Sequence, residues 1–190
     1  MDGESLGERA ALERLNGLPD AMAQEELQAC CSSARWVAEV ASGRPFASAD
    51  EIIACSDAAV AGLSQEELEQ ALAGHPRIGD RSGAAVGCGD AVGQPGHEAS
   101  AVAGWSRQEQ AGVQAADQSI VRALAEGNEA YERRFGHIYL VCATGRSGAE
   151  LLALLRERLD NDPAAEWDVV RRELGKINRI RLRKLLEATP

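Results

Sequence analysis

The sequence predicts an all-α protein, a single-domain helical bundle of about eight helices with one long glycine-rich loop. Three observations support this fold class. Apolar residues recur every three or four positions along most of the 190-residue chain, which is the spacing of one helix face. Capping residues and glycines mark the ends of these segments. Only the run from His137 to Cys142 has the composition of a strand, and one short strand cannot form a sheet.

The predicted helices follow one another through short connections, apart from one long gap after the fourth. Because a helix buries its apolar stripe against a neighbour, consecutive helices of this kind pack into a bundle. The strand-like run is then an extended segment threaded between helices. The predicted helices cover residues 5–15, 21–41, 49–62, 65–74, 107–126, 128–135, 148–159 and 164–187.

Local signals place the ends of several of these helices. A serine followed three residues later by a glutamate forms a capping box, a glycine commonly follows the last turn, and an aspartate before a proline is a typical helix start. The capping boxes are Ser48-x-x-Glu51 and Ser64-x-x-Glu67, the terminal glycines are Gly74 and Gly127, and the aspartate–proline pair is Asp162-Pro163.

Residues 76–104 form the one long stretch without helical periodicity. They contain seven glycines and few large apolar residues. A loop of this length within a compact domain is usually functional or disordered. A disordered insertion and an ordered lid over a site are therefore both compatible with this pattern. We predict a flexible loop or lid inside a single domain that covers residues 1–190.

Composition and charge exclude several classes of function. A net charge of -10 and a pI of about 4.8 argue against a nucleic-acid partner, which requires clustered lysines and arginines. No apolar run reaches the ~20 residues of a membrane span, and the charged N-terminus is unlike a signal peptide. The five cysteines are odd in number and lack the paired spacing of metal ligands, which predicts reduced thiols in a cytoplasmic protein.

His75 is the first candidate functional residue. Together with Leu68 and Leu72 it follows the spacing i, i+4 and i+7, so the imidazole extends the apolar face of the helix that ends at Gly74. A lone histidine on such a face is more often a hydrogen-bonded core residue than a catalytic one. Function for His75 therefore depends on whether other polar side chains join it.

A second polar group begins the helix that follows the loop. Ser106, Glu109 and Gln110 project to the side of this helix that its apolar residues occupy. Ser106-x-x-Glu109 is also a capping box, and such a box is usually only structural. The two roles are compatible, because a helix N-terminus favours an anion.

Arg181 is the third candidate, because it falls in the middle of the apolar stripe of the last helix. Arg179 and Arg183 point away from that stripe. A buried guanidinium needs an anion to offset its desolvation. That anion is either a glutamate or aspartate of the protein or a substrate carboxylate, for which the guanidinium fork is well shaped.

These groups together suit an anionic, nitrogen-rich small molecule. They supply an imidazole, a carboxylate, an amide, a hydroxyl and a guanidinium. The sequence predicts no metal site, because His75, His97 and His137 are isolated from one another and from paired cysteines. It contains no phosphate-binding glycine loop and no nucleophile with an evident neighbouring base, although Ser106 and Cys142 stay open as nucleophiles.

A series of short motifs resembles the 2-oxo-4-hydroxy-4-carboxy-5-ureidoimidazoline (OHCU) decarboxylases of urate catabolism. No single motif is specific, but their order along the chain is. They run from Leu15-Asn16-Gly17-Leu18-Pro19, Trp36-Val37-Ala38-Glu39 and Arg44-Pro45-Phe46 through Gly74-His75-Pro76-Arg77-Ile78-Gly79 and Ser106-x-x-Glu109-Gln110-Ala111-Gly112 to Asn128-x-x-Tyr131-x-x-Arg134-Phe135-Gly136, Arg158-Leu159-x-Asn161-Asp162 and Lys176-Ile177-x-x-Ile180-Arg181-Leu182.

The resemblance implies an all-helical enzyme without a cofactor, often a homodimer. It would convert OHCU, formed from urate by oxidation and ring hydrolysis, to (S)-allantoin, with His75 and Glu109 as the catalytic pair. In this interpretation His75 is the acid/base group, since an imidazole exchanges protons near neutral pH, and Glu109 holds substrate N–H groups. The implied substrate-binding residues are Pro76, Ser106, Gln110, Arg181 and the backbone of Leu140, Val141, Cys142 and Ala143.

Two other interpretations stay open on the residues alone. The chain could be a non-catalytic helical interaction module, in which Arg181 pairs with a protein carboxylate and no site joins His75 to Glu109. It could also be a hydrolase that acts on a related ureide, although such an enzyme usually needs a metal cluster or an activated nucleophile.

Overall fold

A computed structural model of the chain describes residues 6–79, 105, 108–114 and 116–187. Within these ranges every regular element is an α-helix and none is a β-strand, so the predicted all-α class is confirmed. Nine helices have their bounds among these residues, against about eight predicted. They are α1 Leu6–Gly17, α2 Asp20–Gln28, α3 Ala34–Ser42, α4 Ala49–Ala61, α5 Gln65–Ala73, α6 Ala111–Gln114, α7 Gln118–Phe135, α8 Gly148–Arg158 and α9 Pro163–Glu187.

The chain divides into two compact units. The first unit comprises Met1–Ala71 and Gly175–Pro190, and the second comprises Leu72–Leu174. The single domain over residues 1–190 stays a prediction. Of the predicted loop or lid, residues 80–104 lie outside the described part of the chain.

The first unit has a core of large apolar side chains, one of which is Trp36. This indole is fully buried, and its N–H donates to the hydroxyl of Ser56 over 3.2 Å. Arg44 fastens the turn between α1 and α2, because its Nη1 donates to the carbonyl oxygens of Leu15 and Leu18, each over 2.8 Å. Other buried residues of this unit include Leu15, Leu27, Val40, Ile52 and Leu68.

The predicted helix over residues 21–41 is wrong, because the chain forms two helices there. α2 ends at Gln28 and α3 begins at Ala34. Ser33 causes the new start: its backbone is extended, and its hydroxyl accepts from the backbone N–H of Trp36 over 3.4 Å. A serine that caps in this way competes with helix continuation. Cys30 and Cys31, in the connection, are buried core residues.

The predicted boundary between helices at residues 126–128 is also wrong. α7 runs without a break from Gln118 to Phe135, and the break occurs earlier, where Asp117 caps α7 by accepting from the N–H of Ser119 over 2.8 Å. Gly127 therefore does not end a helix. A Cβ atom at this position would lie 2.5 Å from the Cδ2 atom of Leu155, so Gly127 permits close packing between α7 and α8.

The other predicted helix bounds agree with the structure to within two residues, apart from the start at 107, which lies outside the described residues. Ser48 and Ser64 cap α4 and α5, α5 ends one residue before Gly74, and α9 begins at Pro163 with the Asp162 carboxylate accepting from Ala164. The predicted extended segment lies between α7 and α8. It contributes to the core of the second unit, whose buried members are Ile78, Val113, Leu124, Tyr131, Tyr139, Val141, Ala143, Leu151 and Leu155.

Candidate functional site

His75 lies in the second unit, in the turn directly after α5. Its backbone N–H donates to the Leu72 carbonyl over 2.9 Å, which closes a turn at the end of α5. The residue is part-buried and its Nε2 atom is buried, as expected from its place on the apolar face with Leu72. The helix end therefore directs the imidazole inward while leaving part of the residue accessible.

Gln110 joins the loop after His75 to the segment that contains Glu109. Its side-chain oxygen accepts from the backbone N–H of Gly79 over 2.9 Å, and its side-chain nitrogen donates to the Arg77 carbonyl over 3.4 Å. The oxygen and the nitrogen of this side-chain amide thus both form hydrogen bonds with the backbone that follows His75 and Pro76. Two polar segments that are distant in sequence are fastened together within the second unit, and Glu109 between them is part-buried.

Two further contacts hold the same loop, and neither was predicted from the apolar faces of the helices. The side-chain amide of Asn128 donates to the Ile78 carbonyl over 2.8 Å in a buried position. Arg77 forms a two-point ion pair with Glu132, with nitrogen–oxygen distances of 2.5 and 2.7 Å. Asn128 carried a usable signal, because it lies four residues after the buried Leu124 and so on the inner face of α7.

The segment from Leu140 to Ala143 is buried and lies outside the helices, so its backbone polar groups require partners. Arg158 donates to the Leu140 carbonyl over 2.6 Å, and the Glu173 carboxylate accepts from the backbone N–H of Cys142 over 2.8 Å. Side chains of α8 and α9 therefore fix the conformation of the segment that was predicted to present its backbone to a ligand.

A buried charge network supports that segment. The Glu166 carboxylate is fully buried and accepts from the Nε atom of Arg158 over 2.7 Å, from the Asn161 amide over 2.6 Å and from the Tyr131 hydroxyl. Burial raises the pKa of Tyr131 well above its usual range, so this hydroxyl is a stable donor. Burial likewise raises the pKa of Tyr139 to about 12. The sequence shows three of these residues in its motifs but gives no sign that Glu166 is their shared partner.

Arg181 lies in the first unit and is 2% exposed, which confirms its predicted place on the apolar stripe of α9. Its Nη1 atom lies 3.4 Å from the Cys30 carbonyl oxygen, to which it donates. Arg179 and Arg183 are exposed, as predicted. A fully desolvated guanidinium is a strong binding group for a planar anion or carbonyl.

The remaining predictions concern other site residues, metal ligands, cysteines and membrane spans. Ser106 lies outside the described residues, whereas Pro76 and Gln110 lie in the second unit with His75. Among the residues described, no group of three or more histidine, cysteine, aspartate or glutamate side chains is arranged to hold a metal ion. Cys30, Cys31, Cys55 and Cys142 form no disulfide. No helix in the described ranges is both long and apolar enough to cross a membrane.

Three curated proteins are similar to this chain. It is 28% identical over 162 residues to the uric acid degradation bifunctional protein TTL of Arabidopsis thaliana. The matched region covers 85% of this chain and 47% of that protein. It is 29% identical over 152 residues to the OHCU decarboxylase of Amia calva, at 79% of each chain, and 26% identical over 172 residues to that of Haloferax volcanii, at 90% and 93%. The chain thus spans about half the length of the Arabidopsis relative and most of the other two.

Two crystal structures are similar to the fold. A crystal structure of OHCU decarboxylase in the presence of (S)-allantoin matches with a TM-score of 0.68 and 25% identity, over 86% of this chain and 99% of that chain. A crystal structure of (S)-allantoin synthase matches with a TM-score of 0.62 and 17% identity, over 92% and 53%, which supports the fold alone. The family model described as OHCU decarboxylase matches residues 16–183 and so covers all the motifs from Asn16 to Leu182. By this match, this chain belongs to the OHCU decarboxylase family.

Proposed function

We propose that this protein decarboxylates OHCU to (S)-allantoin in urate degradation and is therefore a carboxy-lyase. The observation that carries this proposal is the pair of hydrogen bonds between the Gln110 side chain and the backbone of Arg77 and Gly79, because they join the His75 loop to the Glu109 segment. The family to which the chain belongs takes its name from this reaction. Urate degradation is also the process named for the Arabidopsis relative.

The chemistry needs proton transfer and orientation. OHCU carries a hydroxyl and a carboxylate on one ring carbon beside a ring C=N bond. When the bond to the carboxylate breaks, CO2 leaves and the electron pair passes into the C=N system. One proton is taken up for each CO2 released, and delivery to one face of the ring gives the (S) product. We assign that delivery to His75, whose imidazole can exchange a proton near neutral pH.

The other residues of the second unit hold the substrate. In our proposal Glu109 accepts hydrogen bonds from ring or ureido N–H groups, and Pro76, Ser106 and Gln110 fix the orientation of the substrate. The amide of Gln110 has one further N–H and one further lone pair beyond its two backbone contacts. The backbone of Leu140, Val141, Cys142 and Ala143 supplies additional polar contacts.

In the first unit, we assign Arg181 to an anionic or carbonyl group of the substrate. We further infer that the reaction needs no cofactor, and that the protein acts in the cytoplasm as a homodimer. These inferences rest on the family resemblance and, for the cytoplasm, on the cysteine pattern of the sequence.

The proposed function is tested by following (S)-allantoin by circular dichroism. The substrate is generated from urate with the two enzymes that oxidise urate and open its ring. Wild-type protein should form (S)-allantoin faster than the spontaneous background. His75→Ala should lower that rate by about 10²- to 10⁴-fold, the usual contribution of a general acid or base.

Two controls separate chemistry from folding in this test. Far-ultraviolet circular dichroism of His75→Ala should match wild type, because His75 lies after the last residue of α5. Glu109→Gln keeps the size of the side chain but removes the charge, and it should also lower the rate. A His75→Ala variant with the wild-type rate would refute the acid/base assignment. Wild-type protein with no rate above background would favour the interaction module, and release of a hydrolysis product would favour the hydrolase.

A further inference from the structure

Residues 77–79, which begin two positions after His75, are held by side chains from two other segments of the second unit. Gln110 contacts the backbone at both ends of this stretch, over 2.9 and 3.4 Å. Asn128 of α7 contacts its middle, where the side-chain amide donates to the Ile78 carbonyl over 2.8 Å. Three consecutive residues are therefore fixed by side chains that are distant in sequence.

The last residue of this stretch depends on such contacts for its conformation. Gly79 has a φ of 84°, in the left-handed region that glycine enters readily. A Cβ atom at Gly79 would lie 3.5 Å from the Cγ1 atom of Val113, so the chain turns close against the buried core of the second unit. Since glycine has no side chain of its own to fix this turn, the hydrogen bonds from Gln110 and Asn128 set its position.

Helix α7 offers a fixed attachment for the bond to Asn128. Gly127, the preceding residue, permits close contact between α7 and the fully buried Leu155 of α8. One turn further along α7, Glu132 pairs with Arg77, but Arg77 is exposed, and an exposed ion pair contributes little. The hydrogen bond of Asn128 is buried. It is therefore the stronger of these two contacts between α7 and the stretch that follows His75.

We propose that Asn128 is a positioning residue for the decarboxylation, because its hydrogen bond to Ile78 fixes the backbone that presents His75. This inference rests on the proposed function, in which His75 is the acid/base group. Asn128 is 4% exposed, so it acts through the backbone and not by contact with the substrate. A displacement of a reacting group by ~1 Å can lower a rate about 10²-fold. The competing explanation is that Asn128 only stabilises the fold.

The test compares Asn128→Leu with wild type in three measurements. These are kcat and KM for OHCU, the free energy of unfolding, and the NMR ring signal of His75 in the ligand-free protein, identified by its loss in His75→Ala. Leucine has a similar volume but cannot donate to Ile78. We expect kcat to fall about 10- to 100-fold while KM stays within about threefold of wild type. The His75 signal should shift or broaden, and the free energy of unfolding should fall.

Asp117→Ala is the matched control for loss of stability in the same helix. Asp117 is exposed and caps α7 by accepting from the N–H of Ser119 over 2.8 Å. Loss of an N-cap destabilises a helix, but the bond between Asn128 and Ile78 remains. The free energy of unfolding should therefore fall, whereas kcat and the His75 signal should match wild type. Asn128→Ala adds no bulk, should repeat the loss in kcat, and replaces the leucine variant if that variant does not fold.

The outcomes separate the positioning role from a structural role and from the proposed function. Wild-type kcat in a destabilised Asn128→Leu overturns the positioning role, as does a loss in kcat that Asp117→Ala shares or that leaves the His75 signal unchanged. Wild-type protein without turnover overturns the proposed function. The NMR comparison then still decides Asn128: a His75 signal that changes in Asn128→Leu but not in Asp117→Ala supports positioning, and equal signals overturn it.

Discussion

Arg181 and Arg179 lie two residues apart on α9 and have opposite environments. Arg181 is 2% exposed and donates to the Cys30 carbonyl, whereas Arg179 is exposed and pairs with Asp57 at 2.7 Å. Ion pairs on the surface contribute little to stability, so Arg179 has mainly a solubilising role. The desolvated guanidinium of Arg181 is therefore the better candidate for binding the substrate. Because both residues are arginines, the same substitution at each position shows how burial affects substrate binding.

Replacement of Arg181 should weaken substrate binding. Arg181→Met, which keeps much of the apolar stem, should raise KM for OHCU by about 10- to 100-fold, equivalent to a charged hydrogen bond of about 1.5–3 kcal/mol. Arg181→Lys should restore only part of the affinity, because an ammonium cannot make the two-point contact. Arg179→Met should leave KM unchanged. Equal effects at the two positions would contradict a binding role for Arg181.

The two tyrosines of the chain provide a pH-dependent prediction. Burial raises the pKa of Tyr139 to about 12 and that of Tyr131 further, against ~10 in an unfolded chain. Because the folded state keeps protons that the unfolded state loses, stability is fully present below pH ~10 and falls as pH rises toward the folded pKa values. For Tyr139 the full loss is on the order of 3 kcal/mol.

This prediction is measured by the ultraviolet absorbance of tyrosinate. The folded protein should show almost no tyrosinate at pH ~10, where guanidinium-unfolded protein is half ionised. Tyr139→Phe should flatten the alkaline decline in the free energy of unfolding, and the remaining decline then reports Tyr131. Normal titration of both tyrosines in the folded protein would show that they are accessible to solvent.

At the scale of elements, helix packing depends on where glycine permits close approach. A Cβ atom on Gly112 of α6 would lie 2.0 Å from the Arg146 carbonyl oxygen, and one on Gly127 of α7 would lie 2.5 Å from the Leu155 side chain. Gly175 of α9 differs, because the nearest atom to its Cβ position is a Val60 methyl at 4.0 Å. Glycine inside a helix is therefore required at some positions and merely tolerated at another.

Alanine substitution at two helix-interior glycines should have opposite effects on stability. Gly175→Ala should raise the free energy of unfolding by about 0.5–1 kcal/mol, since alanine has the higher helix propensity and space is available. Gly127→Ala should lower it by about 1–3 kcal/mol, because Leu155 is fully buried and the added methyl overpacks the contact between α7 and α8. Denaturant unfolding measures both values. Stabilisation by Gly127→Ala would mean that the two helices separate without cost.

The helix ends show which local signals are sufficient to predict a boundary from the sequence. Ser48, Ser64 and Asp162 could be identified from sequence, because a capping side chain contacts backbone within three residues. The start of α3 after Ser33 was not predicted, although Ser33 is also a capping residue, because apolar periodicity continues across it. Gly127 was misassigned because its packing partner, Leu155, is 28 residues away in the chain.

At the scale of the whole molecule, charge governs behaviour in solution. The chain has a net charge of -10 at pH 7 and a pI of about 4.8. Mutual repulsion keeps molecules with a high net charge apart, and this repulsion disappears as the net charge approaches zero. Charge therefore affects solubility and association independently of the chemistry assigned to His75.

Solubility should pass through a minimum near pH 4.8 and recover toward neutral pH. Turbidity and light scattering over a pH series, at constant ionic strength, measure this directly. Added salt at pH 7 should have little effect on solubility at moderate concentration, since the net charge there remains large. A solubility minimum near neutral pH would instead indicate association through apolar surface rather than loss of charge.

Local spacings in the sequence predicted most of the helices and their ends, the inward position of Arg181 and the two polar segments around His75 and Glu109. All of these depend on spacings within a few residues, which fix backbone hydrogen bonding and the face on which a side chain lies. The hydrogen-bond partners of these side chains depend instead on tertiary packing. Gln110 accepts from Gly79, which is 31 residues away, and Glu166 accepts from Tyr131, which is 35 residues away. Such pairings depend on how the helices pack in space. Local periodicity contains no information about contacts between residues that are far apart in the sequence.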